Sequence, residues 1–160
     1  MQTKPQKQHK WLQKLVGNWK YEGEAEMAPG QSKVKWKGRE SVRPVGKLWV
    51  VAEGEGEMPG AGMCTMQMTL GYDARKKGYV GTWFGSMMDM LWLYEGKLDR
   101  TGKVMTLSAS GPSMVAEGKT AKYRDVITLV NKNHRTLTSF MQGKGGKWTK
   151  FMTAHYRRTK

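Results

Sequence analysis

The 160-residue sequence predicts an all-β fold, a closed antiparallel ten-stranded up-and-down β-barrel with a short N-terminal helix. Three observations predict it. After residue 17 nearly the whole chain alternates apolar and polar residues with period two, the repeat of a strand with one face in water. Short clusters of Gly, Asn, Asp and Pro separate these segments, so sequential neighbours run antiparallel. A meander of ten strands removes its two free edges by closing on itself.

The helix is expected over residues 6–17. Trp11, Leu12, Leu15 and Val16 fall at i, i+1, i+4 and i+5, one face of a 3.6-residue period, and Gly17 suits its end. Residues 18–28 set Trp19, Tyr21, Gly23, Ala25 and Met27 against Lys20, Glu22, Glu24 and Glu26. Pro29-Gly30 marks a turn. Residues 33–43 set Lys33, Lys35, Lys37 and Arg39 against Val34, Trp36, Gly38, Glu40 and Val42, and Pro44 and Gly46 break the run. Further strands are expected at 48–58, 63–72, 78–86, 90–98, 104–110, 121–130, 135–142 and 148–158, with hairpin-type loops at 99–102, 131–133 and 143–146. Glycines inside strands, among them Gly38, Gly54, Gly56, Gly81 and Gly96, mark bends or close approaches and suit a strongly curved barrel.

One domain is expected over residues 1–160, with the barrel at about 18–159. The length suits a single core, and 38% hydrophobic with 26% charged residues excludes wholesale disorder. No run approaches the ~20 apolar residues of a membrane span. The N-terminus has no apolar segment of a secretory leader. The single cysteine, Cys64, leaves no internal disulfide, which points to the cytoplasm. The net charge of +15 is concentrated late: residues 100–160 carry 13 basic and 2 acidic side chains. They stand singly along strands and loops, apart from Arg157-Arg158, which describes a solvated basic surface more than a polyanion groove. Nucleic acid or acidic partners held by non-specific charge are the alternative.

Most catalytic motifs are absent: no GxSxG, no phosphate-binding lysine loop, no GxGxxG opening a helix. His9, His134 and His155 lie far apart in sequence, and no metal or other cofactor is expected. A haem held through one histidine, such as the strand residue His155, is the alternative, because closed barrels can accommodate it. Carboxylates are the remaining source of chemistry. Glu40 shares a face with Trp36 and Val42, and Asp125 with Tyr123, Ile127 and Leu129. A carboxylate lining an apolar cavity has a raised pKa and can act as a base. Asp89 lies where two strands turn.

Seven Trp, six Tyr and thirteen Met exceed what a small core requires. Aromatic walls and adaptable thioethers suit an apolar or amphipathic ligand inside the barrel. Trp36, Trp83, Trp92, Tyr94 and Tyr123 are the expected aromatic lining, with Met68, Met90 and Phe140. Glu40, Asp125 and His155 supply orienting polar groups. The leading function is therefore non-catalytic binding of a small, mostly apolar molecule. The rival is an enzyme, natural or engineered, using Glu40, Asp89, Asp125 or His155 in acid–base chemistry. A third reading is a positively charged scaffold for polyanions.

Gly17-Asn18-Trp19 after the helix, with arginines ending the last strand, resembles the G-x-W signature of the lipocalin and fatty-acid-binding-protein superfamily. That resemblance implies that Trp19 closes the barrel base against Arg157. A longer match runs through Leu48-Trp49-Val50-Val51-Ala52-Glu53-Gly54-Glu55-Gly56, Met68-Thr69-Leu70-Gly71-Tyr72-Asp73, Ala121-Lys122-Tyr123-Arg124-Asp125-Val126-Ile127 and Phe151-Met152-Thr153-Ala154-His155-Tyr156-Arg157-Arg158. These segments resemble the bacterial family known as domain of unknown function 1579. The resemblance implies a lipocalin-like (calycin) barrel and brings no activity. Lys33, Lys35, Lys37, Lys132, Lys144 and Lys147 stand where such proteins carry more acidic residues. The chain therefore reads as a charge-enriched member, redesigned or naturally basic.

Overall fold

The structure, a computed structural model, describes residues 1–26 and 31–159. The expected Pro29-Gly30 turn lies outside the described residues. The helix α1 spans Lys7–Leu12 and tightens into a 3-10 turn over Gln13–Leu15. Ten strands follow: β1 Gly17–Glu26, β2 Lys33–Val45, β3 Trp49–Met58, β4 Gly62–Asp73, β5 Gly78–Gly85, β6 Trp92–Leu98, β7 Val104–Pro112, β8 Thr120–Asn131, β9 His134–Gln142 and β10 Trp148–Arg158. Each pairs antiparallel with the next, and β1 pairs with β10, so the sheet closes into a barrel. No described helix is long and apolar enough to cross a membrane.

Most boundaries shift by one or two residues from expectation, and three of the differences bear on the barrel ends. The helix is shorter than residues 6–17 because Gly17 already belongs to β1, with a φ of +137° that L side chains rarely adopt. A side chain there would also collide with the Arg158 guanidinium. β2 runs through Pro44 to Val45, opposite Val50 and Trp49. β6 begins at Trp92, leaving Met90 in the β5–β6 connection.

A single turn of helix is too short to persist alone; its tertiary contacts hold it. Trp11, Leu12 and Leu15 are buried against one end of the barrel. The Trp11 indole N–H donates to the Gly102 carbonyl at 2.6 Å, and the Tyr79 hydroxyl donates to the Gln8 carbonyl at 3.0 Å. The helix thereby covers the end where β1 starts. The opposite end, the mouth, collects the β3–β4, β5–β6, β7–β8 and β9–β10 connections.

Strand register decides which face is inward. Trp19, Tyr21, Val42, Val50, Leu70, Tyr79, Met105, Leu107, Ile127 and Ala154 make the buried core. On β9 the inward residues are Arg135, Leu137, Ser139 and Met141, because they pair with Leu129, Ile127, Asp125 and Tyr123 of β8. On β10 a bulge between Lys150 and Met152 shifts the alternation. Trp148 therefore faces outward under Arg124, whose guanidinium lies 4.0 Å from its ring, while Met152 and Tyr156 face inward. The outer charges of β1–β3 interleave across strands: Lys37 and Lys35 of β2 oppose Glu22 and Glu24 of β1, and Arg39 opposes Glu55 of β3. Part of the positive charge is thus matched locally.

Candidate functional site

At the helix end the interior is filled. Trp19 is 2% exposed, and its indole N–H donates to the Leu15 carbonyl at 2.9 Å. The guanidinium of Arg158 lies 4.2 Å from its ring and that of Arg135 4.6 Å. Arg158 also donates to the carbonyls of Val16, Lys14 and Lys132, tying the last strand to the first turn of the chain. The residue closing the base against Trp19 is Arg158, its register partner, and the expected Arg157 is not. Arg157 pairs with Lys20 and His134 on the outer face.

Arg135, missed by the sequence reading, reaches across the barrel from β9 to form an ion pair with Glu40 of β2. Its guanidinium also lies 4.1 Å from the Tyr156 ring. Its Nε–H is buried without a hydrogen-bond partner. Glu40, Arg135 and Tyr156 line a small cavity of ≈ 20 Å³ with Val42, Val50 and Leu70. That holds about one water molecule. Ten strands leave so little room because large rings lie flat on glycine-bearing strands. The Tyr21 ring crosses Gly38 and Gly56, where a Cβ would meet its hydroxyl. Burial pushes the Tyr21 hydroxyl up to about 12, with Glu40 adding to the rise. Tyr156 is driven well above 10 by burial first and Glu40 second.

Midway along the barrel, Asp125 of β8 accepts hydrogen bonds from the Tyr94 hydroxyl of β6 and from Ser139 Oγ of β9, the latter at 2.6 Å. Ser139 follows from register alone, since it stands opposite Asp125. Burial pushes the Asp125 carboxyl up, and the bonds from Ser139 and Tyr94 draw it partly back. A carboxyl raised in the folded state contributes stability that is complete below its unfolded pKa and is lost as pH rises through its folded value. Asp125→Asn is therefore expected to gain on the wild type as pH rises from 4 to 7. Urea unfolding at both pH values checks this; parallel curves for the two proteins would refute it.

Toward the mouth, Cys64, Tyr123 and Met141 are buried, but several other inward side chains stay partly exposed. Trp36, Met66, Met68, Trp83 and Met152 pack against the core and are partly buried, as is Trp92. Met68 opposes Trp83, and Trp83 opposes Trp92. Trp92 stands edge-on to Tyr123 at 5.1 Å and lies over Gly111, where a Cβ would strike its ring. Met90 reaches the same glycine from the rim. Tyr123 is fixed by its hydroxyl, which donates to the Pro112 carbonyl at 2.6 Å. Trp36 lies over Gly23.

The expected lining thus divides. Trp36, Met68, Trp83, Trp92, Tyr94 and Tyr123 point inward. Phe140 does not: it pairs with Arg124 and Lys150 on the outer face. Among the polar candidates, Glu40 is inside but neutralised by Arg135, and Asp89 is exposed in the β5–β6 connection. His155 faces outward between Glu22 and Thr136, so it neither lines the interior nor ligates a haem there. Among the described residues no group of three or more His, Cys, Asp or Glu side chains is gathered to hold a metal ion.

Solved structures with this architecture include Rv2717c from M. tuberculosis, 15% identical over 94% of this chain and 96% of that one, with a TM-score of 0.64. Another is the S-type phycobiliprotein lyase CPES from Guillardia theta, 12% identical over 98% of this chain and 99% of that one, with a TM-score of 0.61. At such identities the likeness is one of fold. No curated protein matches the sequence. The profile of the family described as a protein of unknown function, DUF1579, matches residues 4–158, and the chain belongs to that family.

Proposed function

We propose that the protein binds a small, mostly apolar molecule in the mouth half of its barrel. The observation that carries this reading is the contrast between the two ends. Core residues at the helix end are nearly inaccessible, whereas Trp36, Met68, Trp83 and Trp92 face inward yet keep part of their surface in water. Half-exposed aromatics and thioethers turned toward one another form an apolar lining that a ligand can desolvate. Asp125, flanked by Tyr94 and Ser139, gives that lining one polar wall and orients a ligand hydroxyl or amine. Of the carboxylates considered for acid–base chemistry, Asp125 alone is inside without a cationic partner, and its two oxygens are engaged as acceptors. That favours positioning a ligand over proton abstraction. The buried, unpaired thiol of Cys64 suits a cytoplasmic setting.

Titration with the neutral dye N-phenyl-1-naphthylamine tests the reading. Saturable 1:1 binding with tryptophan quenching is expected, unchanged by 0.5 M salt because the probe carries no charge. Trp83→Ala and Trp92→Ala should each weaken it about tenfold, the equivalent of about 1.4 kcal/mol. Non-saturable binding, or wild-type affinity in both variants, would overturn the proposal.

A further inference from the structure

The outer wall carries a feature that the interior does not use. His134 opens β9, and His155 stands on the neighbouring β10. Their rings are tilted by 32° with centroids 5.3 Å apart, and His134 Nε2 lies 3.0 Å from His155 Nδ1. One nitrogen donates a proton to the other, so a single proton is held between two imidazoles.

We propose that His134 and His155 form a surface site for a divalent transition-metal ion, Cu²⁺ above all, in the place of that shared proton. The spacing carries the argument. Metal–imidazole bonds of about 2.0–2.1 Å put two nitrogens on one ion about 2.9 Å apart at a square-planar corner and about 3.3 Å apart at a tetrahedral one. The observed 3.0 Å separation lies nearer the first, the geometry of Cu²⁺ and Ni²⁺. Turning each ring by a few tens of degrees aims both lone pairs at a common point. The donor ring's one N–H proton moves to its far nitrogen and the acceptor ring's is already on its own, so each imidazole stays neutral and no net proton is released.

The scaffold favours the site in two further ways. Unbroken pairing of β10 with β9 from Met152 to Arg157 fixes the two residues as diagonal neighbours on the outer face. Glu22 of β1 stands directly opposite His155 and adds a negative charge near the pair, with water completing the shell. Arg157, opposite His134, and Lys20, opposite Arg157, oppose a cation. The third histidine offers no competing site. His9 is 3% exposed; its Nδ1 accepts the Gln6 N–H at 3.0 Å, and its Nε2 lies 3.1 Å from the Tyr72 carbonyl.

Calorimetric titration of the whole protein with CuCl₂ in a non-coordinating buffer tests the site, with thermal unfolding and frozen-solution EPR alongside. One ion per chain is expected. At a hundredfold excess over Kd, Tm should rise by roughly 5 °C or more. The EPR spectrum should show two coupled nitrogens, reduced to one in His134→Gln and in His155→Gln, each binding at least tenfold more weakly. Glu22→Gln should weaken binding severalfold, and Arg157→Gln should tighten it. The variants alter the outer wall only, and metal-free melting confirms that each is folded. Equal Cu²⁺ affinity in the wild type and both histidine variants would overturn the proposal. So would an unchanged nitrogen signature, or no binding below 1 mM.

Discussion

Arg135→Met is expected to destabilise the barrel by about 3–5 kcal/mol, the cost of breaking an ion pair inside a fold and leaving one charge unmatched. The side chains of Arg135 and Glu40 are only 5% and 14% exposed, so water cannot replace the lost partner. The guanidinium also lies against the rings of Trp19 and Tyr156, contacts of about 0.5–2 kcal/mol where desolvated. The double variant Arg135→Met with Glu40→Leu should recover most of the loss, because two apolar side chains satisfy each other where a lone carboxylate cannot. Denaturant unfolding of the wild type, both single variants and the double variant gives the coupling energy directly. A single Arg135→Met cost below 1 kcal/mol would show that the pair is not structural.

Trp19→Ala should cost about 3–5 kcal/mol, the range for deleting a large ring from a packed core. Trp19 is also where three parts of the chain meet: the 3-10 turn through the Leu15 carbonyl, β9 through Arg135 and β10 through Arg158. Its removal leaves two guanidinium groups without the surface they pack on. The helix should then detach more often, so limited proteolysis should cut the first sixteen residues faster in this variant. Trp19→Phe keeps a ring for both arginines and loses only the indole donor, so it should fall well short of the alanine cost. Equal losses for the two variants would place the effect in the hydrogen bond and not in the packing.

The barrel was legible because most strands keep a polar outer face, so period-two alternation survives in the sequence. The interior was less so, for reasons that differ by residue. The role of Arg158 was within reach: Tyr156 marks the inward parity of β10, and Arg158 shares it while Arg157 and His155 do not. Phe140 misled because β9 has apolar residues on both faces, with Leu137 and Met141 on one and Phe140 on the other. Trp148 faces outward because the β10 bulge inserts a residue that no local pattern announces. Arg135 reads locally as a solvated cation, and only Glu40, 95 positions away, makes its burial possible. Pairings that cross a barrel interior are set by closure, and strand periodicity carries no record of them.

Closure between β1 and β10 also has a consequence in time. At synthesis rates of about 5–20 residues per second, β10 emerges roughly 7–26 s after β1 is complete. For that interval β1 has β2 on one side and a bare edge on the other, the kind of edge that recruits strands from other chains. The Arg158 tether to Val16 spans 142 positions and is among the last contacts that can form. A nascent chain of this protein is therefore most exposed to aggregation just before its final dozen residues arrive, and a truncation there should behave worse in the cell than any single substitution in the wall.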